Sequence, residues 1–176
     1  MILDRPSRMP PTNPPNAPFE VARSDEALYV RIRGLGSMKN APTLETLANK
    51  ALDEGARSLV FDFVKCTGVD STFMGLLLSL TTEVKERDGG GVVLINVDDH
   101  ARRQLASVGV DAFVTIREGE SKLPHKVRLT PVEAVYASES KRLKLIVKAH
   151  KQLVASDERN RAKFGPFLEG ILAELE

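Results

Sequence analysis

The stretch Leu59-Val-Phe-Asp-Phe-Val-Lys-Cys-Thr-Gly-Val-Asp-Ser-Thr-Phe-Met-Gly-Leu-Leu-Leu-Ser-Leu80 holds, in order, a short apolar run, a polar turn and the opening of an apolar helix. Leu59, Val60, Phe61 and Phe63 have the length and composition of an internal strand. Leu76, Leu77, Leu80 and Val84 recur at the three-and-four spacing of a helix packed on a sheet. Asp70-Ser71-Thr72 sits at the junction, and this spacing puts Ser71 at the helix N-cap, beside unpaired backbone N–H groups and the positive end of the helix dipole. A phosphate carried on that hydroxyl would be held by the helix start.

Outward from this junction, strands and helices alternate. Phe19-Glu-Val-Ala-Arg23 and Leu28-Tyr-Val-Arg-Ile-Arg33 flank the polar Ser24-Asp25-Glu26, a hairpin pattern with Arg31 and Arg33 on one face and Val30 and Ile32 on the other. Leu44, Leu47, Ala48 and Ala51 mark an amphipathic helix that Gly55 ends in a left-handed cap. The helix carrying the junction ends near Arg87-Asp88, and Gly89-Gly90-Gly91 leads into a Val-Val-Leu-Ile strand. Phosphate cradles follow a strand and open a helix; this glycine cluster does the reverse and is a terminator. Asp98 caps a helix from Asp99 to about Val108, Gly109 ends it, and Phe113 to Ile116 supplies a short final strand. Thr130-Pro131-Val132-Glu133 carries a capping residue, a proline at the first helical position and a glutamate three residues on, the pattern of a helix start. The order argues for an α/β domain with a mixed sheet flanked by helices.

The junction motif, strand then Val69-Asp70-Ser71-Thr72-Phe73-Met74-Gly75 then helix, resembles the phosphoacceptor loop of STAS domains, the fold of bacterial anti-sigma factor antagonists. The resemblance continues through Gly91-Val-Val-Leu-Ile-Asn96 and the helix after it, and covers residues 19–137. It implies that Ser71, directly after the aspartate, is the phosphoacceptor of a partner kinase. It also implies a regulatory, non-enzymatic protein of the bacterial cytoplasm that acts in transcription. In that cycle the unphosphorylated form binds an anti-sigma factor or related serine kinase, and a phosphatase resets it. Asp70, Thr72, Phe73 and Met74 would then meet the partner. Phe73 and Met74 stand where the family usually has glycine and leucine. An ordinary N-cap serine at position 71, and a core role for Phe73 and Met74, are the alternatives that the residues leave open. The other function consistent with the resemblance is a STAS subunit of a larger assembly, such as a lipid-transport or transporter complex, without a phosphorylation switch.

The rest of the composition narrows the classes. Among 176 residues, 25 Lys and Arg stand against 24 Asp and Glu, which gives no basic footprint for nucleic acid. The single cysteine, Cys66, cannot form a disulfide within the chain; its neighbours suit a small buried core residue better than a reactive thiol. No segment approaches the roughly 18 apolar residues of a membrane span, and the N-terminal residues lack a signal-peptide core. A cytoplasmic protein is expected. The three histidines, His100, His125 and His150, have no metal-ligand spacing, so no metal or other cofactor is expected. A hydrolytic Ser71, His100, Asp98 set lacks a Gly-x-Ser-x-Gly elbow.

Residues 1–18 are dense in proline and read as a flexible leader, and residues 138–176 as a helical extension. In the extension Leu143, Ile146, Val147, His150, Leu153 and Val154 form one helical stripe, and Phe164, Phe167, Leu168, Ile171, Leu172 and Leu175 a second. Pro166 should lie in the first turn of the second helix or kink it. Two one-sided apolar helices must be covered, against their own chain or by a second copy, which would make a homodimer through the C-terminal helices.

Overall fold

A computed structural model describes residues 16–176, so most of the proline-rich leader lies outside the described residues. Ala17 is already buried, and the Pro18 carbonyl accepts the Arg33 N–H at 2.9 Å, so these two residues of the leader pack on the domain. β1 (Phe19–Arg23) and β2 (Ala27–Ile32) form the expected antiparallel hairpin, with Phe19 opposite Ile32 and Arg23 opposite Leu28. Then follow β3 (Gly34–Gly36), α1 (Ala41–Asp53), β4 (Ser58–Asp62), β5 (Cys66–Val69), α2 (Ser71–Glu86), β6 (Gly91–Ile95) and α3 (Asp99–Ser107). A 3-10 turn at Val110–Ala112, β7 (Thr115–Ile116), β8 (Thr130–Val132), α4 (Glu139–Ser156) and α5 (Arg159–Glu174) complete the chain.

Six strands make one sheet in the order β7-β6-β4-β2-β1-β8. β2, β4, β6 and β7 run parallel to one another, and β1 is antiparallel to both neighbours. This is the mixed α/β sheet flanked by helices that the alternating pattern predicts, with the helical extension in place. Gly55 and Gly109 take the left-handed conformations expected where α1 and α3 end, with φ of +101° and +77°.

Two local readings are corrected. Residues 64–69 do not simply turn: they contain β5, which pairs parallel with β3 in a separate two-stranded ribbon. Strands of three and four residues are too short to show a period, and their pairing joins segments about thirty positions apart. Thr130-Pro131-Val132 does not start a helix but forms β8, pairing antiparallel with Phe19–Val21. β1 would otherwise be a bare edge, and a proline that cannot donate to a ladder is tolerated in the edge strand that covers it. β7 is therefore not the last strand. Of the two places open to Pro166 the first turn is excluded: α5 runs through it in its middle, where the ring removes the donor that the Ala162 carbonyl would receive in a regular helix.

One face of the sheet is apolar. Phe19, Val30, Ile32, Leu59, Phe61 and Leu94 join Leu44 and Ala48 of α1 and Leu76, Leu77 and Leu80 of α2 in a single core. The alternate strand positions carry charge. Asp62 is buried and accepts from Arg31 Nε at 2.9 Å, Val64 N at 3.0 Å and Asn96 Nδ2 at 2.9 Å, while Glu20 lies 3.6 Å from Arg31. Asn96, at φ +55°, also exchanges hydrogen bonds with the Ser121 backbone at 2.9 and 3.0 Å, and so ties the long 117–129 connection to the sheet. Hydrogen bonds to a charged group are worth roughly 1.5–3 kcal/mol. Asp62→Ala, which strands three donors, should lower stability by about 2–3 kcal/mol in urea unfolding.

Candidate functional site

The strand-to-helix junction is built around Asp70. Its backbone is extended at φ −92° and ψ 174°, and its Oδ1 accepts the Phe73 N–H at 2.9 Å, so Asp70 is the N-cap of α2. The expectation that Ser71 would occupy the cap is corrected by one position: Ser71 is the first helical residue. Both side chains can cap, but only the aspartate's second oxygen has further work here. Oδ2 accepts the Met38 N–H at 2.8 Å, and the Asp70 N–H donates to the Gly36 carbonyl at 2.9 Å. One carboxylate thus starts α2 and fixes the loop between β3 and α1 beside it. From the other side, the Val69 N–H donates to Gln104 Oε1 of α3 at 3.0 Å.

The residues after Ser71 turn inward. Every position from Thr72 to Thr81 is buried. Phe73 has no exposed surface and stacks near Phe19, with ring centroids 6.4 Å apart, and a Cβ at Gly36 would meet its ring at 2.9 Å. Of the four residues expected to meet a partner, Asp70 is half-buried while Thr72, Phe73 and Met74 are buried; Phe73 and Met74 are therefore core in this structure. Ser79 and Thr81 satisfy their hydroxyls on the carbonyls four residues back, at 3.1 and 2.9 Å.

Burial of α2 on its outer side is the work of α4. A Cβ at Gly75 would fall 2.6 Å from the Ala149 carbonyl carbon and 2.8 Å from the Ala149 Cβ, so only glycine allows the two helices to approach this closely. Lys148 ion-pairs with Glu83 of α2 at 3.2 Å and with Glu45 of α1 at 3.6 Å. One residue on, His150 is 3% exposed, and its Nε2 lies 2.9 Å from Ser71 Oγ. Its Nδ1 lies 2.7 Å from the Ile146 carbonyl, which can only accept. Nδ1 therefore donates, and in a neutral ring Nε2 is the acceptor of the Ser71 hydroxyl. Phe164 and Phe167 of α5 close over the ring edge-on, with centroids at 5.1 and 4.9 Å. The extension thus packs on its own chain.

Sequence reasoning missed this pair. It read His150 only as part of a helical stripe, and the histidine drawn beside Ser71 was His100, whose Nε2 instead lies 3.5 Å from where a Gly68 Cβ would stand. The signal that was present is in α2 itself, because Met74, Gly75 and Leu78 lie off the sheet-facing stripe and require a second cover. A serine donating to a histidine is also the geometry of an activated nucleophile. Here the outer nitrogen rests on a backbone carbonyl rather than a carboxylate, and two phenyl rings cover the imidazole. A cavity of about 210 Å³ between Met38, Lys39, Glu139, Arg142, Leu143 and Ile146 includes neither Ser71 nor His150 in its lining. Cys66 is buried beside the junction, and burial pushes its thiol above the ordinary range. Among the described residues no group of His, Cys, Asp and Glu is placed to hold a metal ion, and no helix is long and apolar enough to cross a membrane.

The STAS domain family model matches residues 18–123, more than half of the chain, and the chain belongs to that family. Solved structures similar to it include a candidate anti-sigma factor antagonist of Thermotoga maritima, 16% identical over 56% of this chain and 84% of its own, with a TM-score of 0.51. An anti-sigma factor antagonist of Mycobacterium paratuberculosis is 22% identical over 57% of this chain and 85% of its own, with a TM-score of 0.49. The phosphorylated form of the Bacillus cell-fate determinant SpoIIAA is 18% identical over 56% and 90%, with a TM-score of 0.47. A search of curated protein sequences gives no match. The family match ends before β8, α4 and α5, so the helices that cover Ser71 lie outside the matched region.

Alanine ordinarily stabilises a helix over glycine by roughly 0.5–1 kcal/mol. At position 75 the sign should reverse, with Gly75→Ala losing about 1–3 kcal/mol in urea unfolding because α4 is pushed off α2. Cys66 should resist iodoacetamide at neutral pH in the folded protein and react fully in denaturant, since a buried thiol held in its protonated form is a poor nucleophile.

Proposed function

We propose that the protein is an anti-sigma factor antagonist whose docking to a serine-kinase partner is switched by phosphorylation of Ser71. The observation that carries this reading is the position of Ser71. In a STAS family member, a serine stands at the first residue of α2, directly after a strand and a capping aspartate. Ser71 opens a helix of 16 residues, at whose start a phosphate is favoured by the dipole and the free N–H groups. Asp70 holds that start in place through both carboxylate oxygens. The partner implied is an anti-sigma factor or related kinase that binds the unmodified form, with a phosphatase restoring it. The role is one of binding rather than catalysis, and the compartment is the cytoplasm.

The test is phosphopeptide mapping of the chain recovered from its own cells, with calorimetry against the kinase that co-purifies with it. Ser71 should be the modified residue, Ser71→Ala should keep affinity and Ser71→Asp should lose it. An unpaired or like-facing charge in a docking surface costs several kcal/mol, so a loss of roughly a hundredfold or more is expected. Equal affinities of the modified and unmodified chains would reject the switch, and recovery of a transport assembly in place of a kinase would favour a permanent subunit.

A further inference from the structure

Ser71 is not free in this chain. Its hydroxyl is hydrogen-bonded to His150, and His150 is held between α2 and the two phenyl rings of α5. We propose that the docked α4–α5 hairpin and a phosphate on Ser71 exclude one another, so that modification of the serine releases the hairpin from α2. The biological use of this latch rests on the reading of Ser71 as a phosphoacceptor.

Three observations carry the proposal. The first is chemical. Phosphoryl transfer from a nucleoside triphosphate replaces the Oγ–H bond with an Oγ–P bond, the proton leaving to solvent and the nucleoside diphosphate departing. The hydrogen that Ser71 donates to Nε2 is thereby lost, and a phosphate at neutral pH adds acceptor oxygens where a neutral His150 needs a donor. The second is steric. At 2.9 Å from Oγ to Nε2 there is no room for a phosphorus and three oxygens. The neighbouring turn of α4 is already in backbone contact with α2 at Gly75, so the helix can yield only by moving away. The third is burial. Turning the modified side chain toward solvent would leave Nε2 unpaired in a residue that is 3% exposed, beneath Phe164 and Phe167.

The hairpin is suited to such release. Its inner helix buries Leu145, Val147, Ala149 and Leu153, whereas Phe167 of the outer helix is 46% exposed and Leu172 and Leu175 are also exposed. Its far end is anchored separately. Asn160 Nδ2 donates to the Val108 carbonyl at 2.8 Å, Lys163 Nζ donates to the Ser107 carbonyl, and Gly109 packs against Asp157. Those contacts are made to the end of α3 rather than to α2, and none of them involves Ser71.

The experiment is hydrogen exchange by mass spectrometry on the full-length chain with phosphoserine installed at position 71 by codon suppression, beside the unmodified chain. Peptides from α4 and α5 should exchange roughly tenfold faster or more in the phosphorylated chain, about 1.4 kcal/mol of lost protection per tenfold. Peptides from β4 and β6 should not change. Treatment with a phosphoserine phosphatase should restore the original pattern. If the sheet peptides also lose protection, the comparison passes to Ser71→Glu, for which the same selective increase is expected. Protection of α4 and α5 that is equal or greater with the phosphate in place would overturn the proposal, because an imidazolium–phosphate pair would then be holding the hairpin. Direct installation bypasses the kinase. A negative result here leaves phosphorylation by a partner standing, and a chain never phosphorylated in its own cells leaves this measurement unaffected.

Discussion

From Thr72 to Thr81 α2 has no side that faces water, and the rest of the molecule is arranged around that constraint. From Thr72 to Thr81 every residue is buried, including the two hydroxyl side chains that bond back to their own helix. A helix apolar all round must be covered all round. The sheet and α1 supply the cover on the inner side. On the outer side a solvent-exposed face of Met74, Leu78 and neighbouring residues would leave an apolar surface that water opposes. α4 removes it at an approach so close that a Cβ at Gly75 would clash with Ala149. Burying side chains such as Leu145 and Leu153 contributes about 1.5–3 kcal/mol each, enough to offset the ordering of an 18-residue helix only together with those contacts.

The consequence for the site is that stability and access share a surface. Ser71 lies at the end of α2 where the polar N-terminus meets the apolar body, so a cover that buries the body also reaches the hydroxyl. His150 is the residue that makes the overlap tolerable. Without a polar partner, covering the serine would strand a hydroxyl; with one, the cover is satisfied at both ring nitrogens. The same bond makes the cover sensitive to the state of Ser71, since a hydrogen bond that closes a buried surface weakens it when one partner is lost.

Much of this was legible in the chain, and the rest was hidden for identifiable reasons. The hairpin, β4, the cap at Asp98 and the left-handed Gly55 and Gly109 all follow from local chemistry, because each depends on residues within a few positions of one another. The junction itself was read one residue off, since Asp70 and Ser71 are both good caps and the contacts that hold Asp70 in place, with Met38 and Gly36, are distant in sequence. β3, β5 and β8 were missed because what makes them strands is a neighbour far along the chain. β8 is the clearest case: Thr130-Pro131 satisfies the local rules for a helix start, but the open edge of β1 offers a ladder those rules cannot see. The Ser71–His150 pair spans 79 positions and breaks no local rule, so only the over-apolar composition of α2 hinted that something must lie on it.

That hint generalises into an argument about the C-terminal helices. If α4 and α5 served only to complete the fold, the inner helix would need its apolar residues against α2, but the polar end of α2 could stay open to solvent. The structure instead carries the cover past the apolar body to Ser71 and closes it with a histidine whose ring is packed by Phe164 and Phe167. The anchors at Asn160 and Lys163 hold the far end of the hairpin independently, so detachment at the serine need not unfold or free the whole extension. A tethered element returns to its site at high effective concentration, which lets a modest loss of contact at one point shift its occupancy without a large penalty elsewhere. The hairpin meets α2 through apolar packing and two polar contacts, Lys148 with Glu83 and His150 with Ser71, and the second of these is with the residue whose chemistry can change.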